Sequence, residues 1–280
     1  MSKLRFRLAR PWAAAARLAR KALPPEKSSF RILMFHDLPE SQRPAFARLV
    51  AGLAETGRLI TPAEAEAMLA GDPPRRFAAP PCLLSFDDGF ASNREVAETI
   101  LTPSGAKGLF FVCPGLIDLP AEAQAAAIAD NVFRGRRPAP EPLMDWAAIE
   151  GLARSGHTIG NHTAHHLRLS ALPPDHAAEE IGGGATILAT RLGKTEWFAY
   201  TFGDVDSIHA AALAEIGRHH RFCRSGVRGL NHAGLNPLAL RGDHLELDGP
   251  DPWRQVIVEG GLDPLYRARR SKLDAMVNPV

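Results

Sequence analysis

Cysteine is scarce in this chain: three residues in 280, Cys82, Cys113 and Cys223, with no Cys-x-x-Cys pair among them. That excludes a thiolate zinc site and fits a reducing compartment, where each thiol serves as a small buried hydrophobe. Long apolar runs are also missing. No stretch approaches the roughly 20 residues of a membrane span. The apolar run 12–16 near the N-terminus ends at Arg17, short of the roughly 7–15 residues of a secretory core. The expectation is a cytoplasmic protein. No Gly-rich phosphate fingerprint follows any strand candidate, which weakens a dinucleotide-binding reading.

What is there is a globular composition, 45% hydrophobic, with a formal net charge of +2. The charge is unevenly spread. Residues 1–25 hold seven cations and no acid, which leaves 26 cations against 31 acids in the rest. The basic charge is confined to this segment and to residues 267–272, so no nucleic-acid partner is expected. Leu4, Leu8, Trp12, Ala15 and Ala19 recur at near-helical spacing between the arginines. The segment reads either as a basic amphipathic helix touching the inner face of a membrane or as a solvated tail interrupted by Pro11. The expected organisation is a basic N-terminal segment over 1–28, one catalytic domain over 29–250 and a helical extension over 251–280.

Strand patterns at 32–35, 82–86, 109–112, 157–161, 197–200, 221–223 and 238–241 alternate with helical patterns. Helices are expected over 44–55, from the Thr61-Pro62-x-Glu64 capping signal to about residue 70, from a Ser92 cap to about residue 101, from an Asp145 cap to about residue 155, and over 208–216. The pattern over 174–192 is helical but contains Gly182-Gly183-Gly184, which predicts a break. Residues 116–141 form a long insertion with no role legible in the sequence. Strand and helix in alternation imply parallel βα units, and a barrel of such units places its chemistry at the C-terminal ends of strands.

Two polar clusters fall where strands should end. The first is Ser85-Phe86-Asp87-Asp88-Gly89. Adjacent carboxylates raise one another's pKa unless a cation intervenes, so a divalent ion on one would leave the other as a base. Alone, the motif reads equally as a turn. The second is Gly160-Asn161-His162-Thr163-Ala164-His165-His166. On a helical turn His162 and His166 would share one face and reach one ion, with His165 pointing elsewhere; a His-rich surface patch is the alternative. Together the clusters offer two imidazoles, a carboxylate and a spare carboxylate, the parts for hydrolysis of an amide or ester by metal-activated water.

Ser85-Phe86-Asp87-Asp88-Gly89 resembles the Thr/Ser-Phe-Asp-Asp-Gly motif of the polysaccharide deacetylases, the NodB homology domain, and the segment from His162 to His166 resembles their His-Ser/Thr-x-x-His motif. The stretch 31–38 resembles the segment that opens the domain, and 197–206 is similar to the Phe-Ala-Tyr-Pro-Phe-Gly stretch of one subgroup. The resemblance implies an α/β fold, a distorted TIM-like (β/α) barrel of seven strands. It also implies a divalent metal ion, most often zinc, and removal of N-acetyl or O-acetyl groups from an acetylated carbohydrate, whether a sugar, a polysaccharide or a lipid-linked glycan precursor. Carried over by position, Asp87 is the base, Asp88, His162 and His166 are metal ligands, Thr163 steadies the loop and the Phe202 N–H is an oxyanion donor. The chain departs from the family at Ala199, where an Arg orienting the base is usual, and at Thr201, where Pro is usual. The late Leu-x-His motif of the general acid is not evident; His244 is the replacement expected here, His232 a weaker one, and Arg241 the expected orienter of the base. His36 ends the first strand and should face the site. Hydrolysis of another C–N bond, as in a formylated sugar or a ureide, and a non-catalytic carbohydrate-binding barrel remain as alternatives.

Overall fold

The computed structural model describes residues 2–22, 26 and 28–278. Seven strands, β1 (Arg31–Phe35), β2 (Cys82–Phe86), β3 (Gly108–Val112), β4 (Thr158–Asn161), β5 (Trp197–Ala199), β6 (Phe222–Arg224) and β7 (Asp243–His244), form one sheet in the order β6-β5-β4-β3-β2-β1-β7. Every pairing is parallel. Six strands follow one another in sequence order, as single winding with helical crossovers requires, and the sheet curls into a half-barrel. β1, β2 and β3 are buried at every position, as expected of parallel strands covered on both faces.

The last strand differs from expectation. Residues 238–241 do not form it: Pro237–Ala239 is a 3-10 turn capped by the Asn236 side chain. Leu240 then makes a single parallel bridge to Arg224 of β6, and the chain crosses to pair Asp243 and His244 with Leu33 and Met34 of β1. This crossing brings the two edges of the curled sheet together. It also places His244 at a strand end.

The helix Pro62–Leu69 starts with the full capping box of Thr61 and Glu64, and Asp145 accepts from the Ala148 N–H at 2.8 Å to start Trp146–Arg154. Ser92 caps nothing. The helix Ala91–Val96 follows Phe90, and the Ser92 hydroxyl instead accepts from Leu38 N–H at 3.0 Å and donates to Asp37 at 3.1 Å. Pro174–Leu192 runs unbroken through its three glycines. Gly184 explains why one of them is there: a Cβ would lie 2.6 Å from Oδ1 of Asn161. The missing side chain lets the helix approach the end of β4, where Asn161 donates to the Ile181 carbonyl at 3.2 Å.

The basic N-terminal segment is helical over Ser2–Arg7 and Ala9–Ala22. One side of it is packed on the domain. Ala9 and Ala13 are fully buried, and Trp12 meets Trp253 edge-on at 5.8 Å and donates from Nε1 to the Gly261 carbonyl at 3.0 Å. Of the stripe expected to meet a membrane, Trp12 packs on the helix Asp251–Val258, while Leu8, Ala15 and Ala19 stay exposed. Among the described residues no helix is long and apolar enough to cross a membrane.

Candidate active site

The ends of β1, β2, β4, β5, β6 and β7 surround a cavity of about 240 Å³ that holds Asp87, Asp88, His162, His166, His36 and His244. Asp87 and Asp88 are each 2% exposed, and their carboxylates part company. The backbone of Asp87 continues the β1–β2 ladder, its N–H donating to Phe35 at 2.9 Å. Asp88 takes φ +72°, a left-handed conformation that Asp tolerates better than most residues. The turn sends Asp88 towards the two histidines, while Asp87 faces the opposite wall.

There Asp87 is met by Arg224, whose guanidinium donates to Oδ1 in a fully buried ion pair. Arg224 is the last residue of β6 and pairs directly in register with Ala199 of β5. The Arg absent from position 199 is therefore supplied from the neighbouring strand, one ladder step across. Arg241, the expected orienter, is engaged elsewhere: it binds both oxygens of Asp274, at 2.7 and 2.8 Å.

Oδ1 of Asp88 lies 3.4 Å from Nε2 of His162 and 3.1 Å from Nε2 of His166. The three candidate ligand atoms lie within 4.8 Å of one another and all three residues are buried. Burial opposes charge on Asp88, so its carboxylate needs positive charge beside it. The ring orientations are fixed from behind. Nδ1 of His162 is 2.6 Å from the Ala199 carbonyl and Nδ1 of His166 is 3.3 Å from the Asn131 carbonyl. A carbonyl only accepts, so each Nδ1 carries the proton and each Nε2 turns a lone pair inward. Asp88 Oδ1 itself is buried without a hydrogen bond. Two lone pairs and an unsatisfied carboxylate oxygen converging on one point fit a divalent ion.

The histidines do not converge through a helical turn. Their loop follows β4 as irregular chain, with Thr163 at φ +66° and His166 at φ +60°. Nor does the Thr163 hydroxyl steady it: that oxygen is buried with no partner among the described residues. The loop is held by Glu180, which accepts from the His165 N–H at 2.9 Å and from its Nδ1 at 2.7 Å. It is also held by Asn131, which donates to the His165 carbonyl at 2.8 Å. His165 thus points away from the site, as expected. Asn131 belongs to the helical turn Ile128–Val132, so the insertion 116–141 buttresses a metal-ligand candidate.

Thr201, in the place of the family's Pro, donates to the Leu167 carbonyl at 2.7 Å and ties the loop after β5 to the histidine loop. Gly203 and Gly226 touch backbone to backbone, the Gly226 N–H donating to Gly203 at 2.8 Å; a Cβ on Gly203 would stand 2.7 Å from that nitrogen. The Phe202 ring packs edge-on against His166 with centroids 5.0 Å apart. His36 and His244 form the remaining wall, their rings 5.3 Å apart, with Nε2 of His36 3.9 Å from Asp87 Oδ2. His232 is outside the site, its Nδ1 against the Ala233 carbonyl at 2.8 Å.

Sequence reasoning missed Arg224 and Asn131. Arg224 had a signal: an Arg at the end of a strand pattern, one residue beyond the assigned limit. Asn131 had none, because its contribution to His166 is a backbone carbonyl.

Comparison with known proteins agrees with this geometry. No curated protein sequence matches the chain significantly. Among solved structures, IcaB from Ammonifex degensii is 26% identical, with a TM-score of 0.65 over 83% of this chain and 97% of that one. The deacetylase PplD of Streptococcus pyogenes, in complex with acetate, is 20% identical, with a TM-score of 0.63 over 82% and 98%. The BpsB deacetylase domain from Bordetella bronchiseptica is 18% identical, with a TM-score of 0.59 over 78% and 96%; these last two show a shared fold. The family model for polysaccharide deacetylases matches residues 75–220. With more than half its length in that match and the motif residues gathered at one cavity, the chain belongs to the polysaccharide deacetylase family.

Proposed function

We propose that this protein is a metal-dependent hydrolase that removes N-acetyl or O-acetyl groups from a carbohydrate, with Asp88, His162 and His166 as ligands of a divalent ion, most simply zinc. One observation carries the reading. Two imidazoles, each with its Nδ1 proton spent on a carbonyl, converge with an unsatisfied carboxylate oxygen beside a second carboxylate that stays outside the set. An ion held there supplies Lewis acidity, acidifying water and polarising the acyl carbonyl. The remaining work falls to the chain. Asp87 accepts the proton of the attacking water, with Arg224 holding its carboxylate in place. The Phe202 N–H, which has no hydrogen-bond partner among the described residues, is the donor for the developing oxyanion.

The leaving amine needs a proton, and His244 and His36 face it from the other wall. His244 keeps an exposed face at its strand end, yet desolvation by the surrounding wall, with His36 and Arg228 adding to it, lowers its pKa. His244 is therefore neutral at pH 7, and the proton it delivers is one collected during the reaction. Asp87 and His36, 3.9 Å apart, form the route. The reading of a decayed, non-catalytic barrel rested on Ala199 and Thr201; Arg224 and the Thr201–Leu167 bond weigh against it.

The test is acetate release from N-acetylglucosamine oligomers and an acetyl ester in the presence of Zn, Co or Ni. Turnover that disappears in Asp87→Asn and His162→Ala supports the assignment, and unchanged turnover in either rules out its role. Formyl-sugar and ureide substrates in the same assay separate deacetylation from hydrolysis of other C–N bonds.

A further inference from the structure

We propose that the mouth of this site binds an anionic group of the substrate, a phosphate or a carboxylate carried by the acylated sugar, between Arg134 and Arg168 beside Phe202. This rests on the hydrolase reading and specifies its substrate class.

The Phe202 ring lies against the ligand candidate His166. On the same ring sit two guanidinium groups, Arg134 at 4.0 Å and Arg168 at 5.5 Å from the centroid. Among the described residues neither has a carboxylate within ion-pair distance. The nearby acids are already engaged: Asp204 lies 3.7 Å from Arg269, and Asp206 lies 2.5 Å from Lys272. Arg168 meets only the backbone carbonyl of Asp206, at 3.1 Å, and the Ser170 hydroxyl, at 3.2 Å. Its Nη1 group remains free to donate. Slight desolvation of the exposed Arg134, followed by the repulsion of Arg168 and Arg136, lowers its pKa.

An arginine run is usually a solvated face with its charges far apart. Here two like charges share one aromatic ring, Phe202, that lines the catalytic cavity, and among the described residues neither is in an ion pair. The arrangement is held in place. Arg134 takes φ +57° and Gly135 φ +66°, and the Gly135 N–H closes on the Ala129 carbonyl at 2.8 Å. The same turn contributes the Asn131 carbonyl that orients His166. The backbone that carries Arg134 is therefore held relative to the reacting centre. Two guanidinium forks around a common point match the oxygens of a phosphate or carboxylate, and an anion between them would relieve their repulsion.

The experiment compares kcat/KM for N-acetylglucosamine 1-phosphate and N-acetylmuramic acid with that for the neutral methyl N-acetylglucosaminide. The comparison is made in the wild type, in Arg134→Ala/Arg168→Ala and in Arg134→Lys/Arg168→Lys. The expected result is a wild-type preference for at least one anionic sugar of about tenfold or more, lost in the Ala pair and partly kept in the Lys pair. Preference for the phosphate alone or the carboxylate alone identifies the source of the anion. Equal anionic-to-neutral ratios in the wild type, or ratios unmoved by the Ala pair, overturn the proposal. Calorimetric binding of glucose 1-phosphate against glucose gives a second readout that does not need turnover. If no acyl sugar is hydrolysed while Arg-dependent phosphate binding persists, the hydrolase reading fails and the anion site stands.

Discussion

Arg224 and Asp87 are 137 residues apart in sequence and form one buried ion pair, made from the strand next to the one where the family carries its Arg. Ala199 and Arg224 are direct ladder partners. The guanidinium can therefore reach the same carboxylate from either strand, provided the partner position is small. Arg224→Met should lower kcat by about a hundredfold, within the range of general-base contributions. It should also cost about 3–5 kcal/mol of stability, because a buried carboxylate is left unpaired. Ala199→Arg in an Arg224→Ala background should restore part of both. Steady-state kinetics and denaturant unfolding check this, and a double variant no better than Arg224→Ala would show that the ladder relationship does not matter.

Metal occupancy should be readable without catalysis. An ion that binds only the folded chain stabilises it by about 2.7 kcal/mol at a hundredfold excess over its Kd. For a chain of this size that raises Tm by roughly 5 °C. Zn addition to chelator-treated protein should give this rise, and EDTA should reverse it. His162→Ala or Asp88→Asn should abolish it. Differential scanning calorimetry with and without Zn is the measurement, and a wild type indifferent to every divalent ion would remove the metal assignment.

The parts legible in the sequence were those written locally. Period and caps gave six of the strands and the starts at Thr61 and Asp145, because hydrophobic alternation and capping are decided within a few residues. The motif residues Asp87, Asp88, His162 and His166 came to one cavity as expected. What was not legible depended on distant packing. The glycines of Pro174–Leu192 look like a break until Asn161 is seen against Gly184. The seventh strand sits later than its apolar pattern, because Leu240 is used as a bridge between sheet edges. The histidines converge through left-handed loop residues, a geometry that a four-residue spacing cannot distinguish from a helical turn.

The insertion makes a prediction of its own. The Asn131 side chain donates to the His165 carbonyl while its backbone carbonyl orients His166. Asn131→Ala removes the first contact and loosens the second. Groups that orient a ligand from behind typically contribute 10–100-fold to metal affinity, so Zn binding should weaken about tenfold, with little change in global stability. Competition against a chromophoric chelator measures it; unchanged affinity would mean the turn Ile128–Val132 packs near His166 without holding it.

Acid sensitivity should come largely from two histidines outside the site. His157 and His220 are 5% and 3% exposed, and burial lowers the pKa of each to about 4. His157 uses Nδ1 to accept the Gly108 N–H at 3.0 Å, which ties the start of β3 to the start of β4. Both rings are neutral in the folded chain and take up protons near pH 6.5 when unfolded. Between about pH 6.5 and 4 the unfolded state binds more protons, so stability falls as pH falls through that window and is fully present above it. Each histidine contributes a slope of up to about 1.4 kcal/mol per pH unit. His157→Asn keeps an acceptor for Gly108 and removes the titration. Urea unfolding at pH 7, 6 and 5 should therefore show a shallower acid slope in this variant than in the wild type, by about one proton. Parallel slopes would place the acid sensitivity elsewhere.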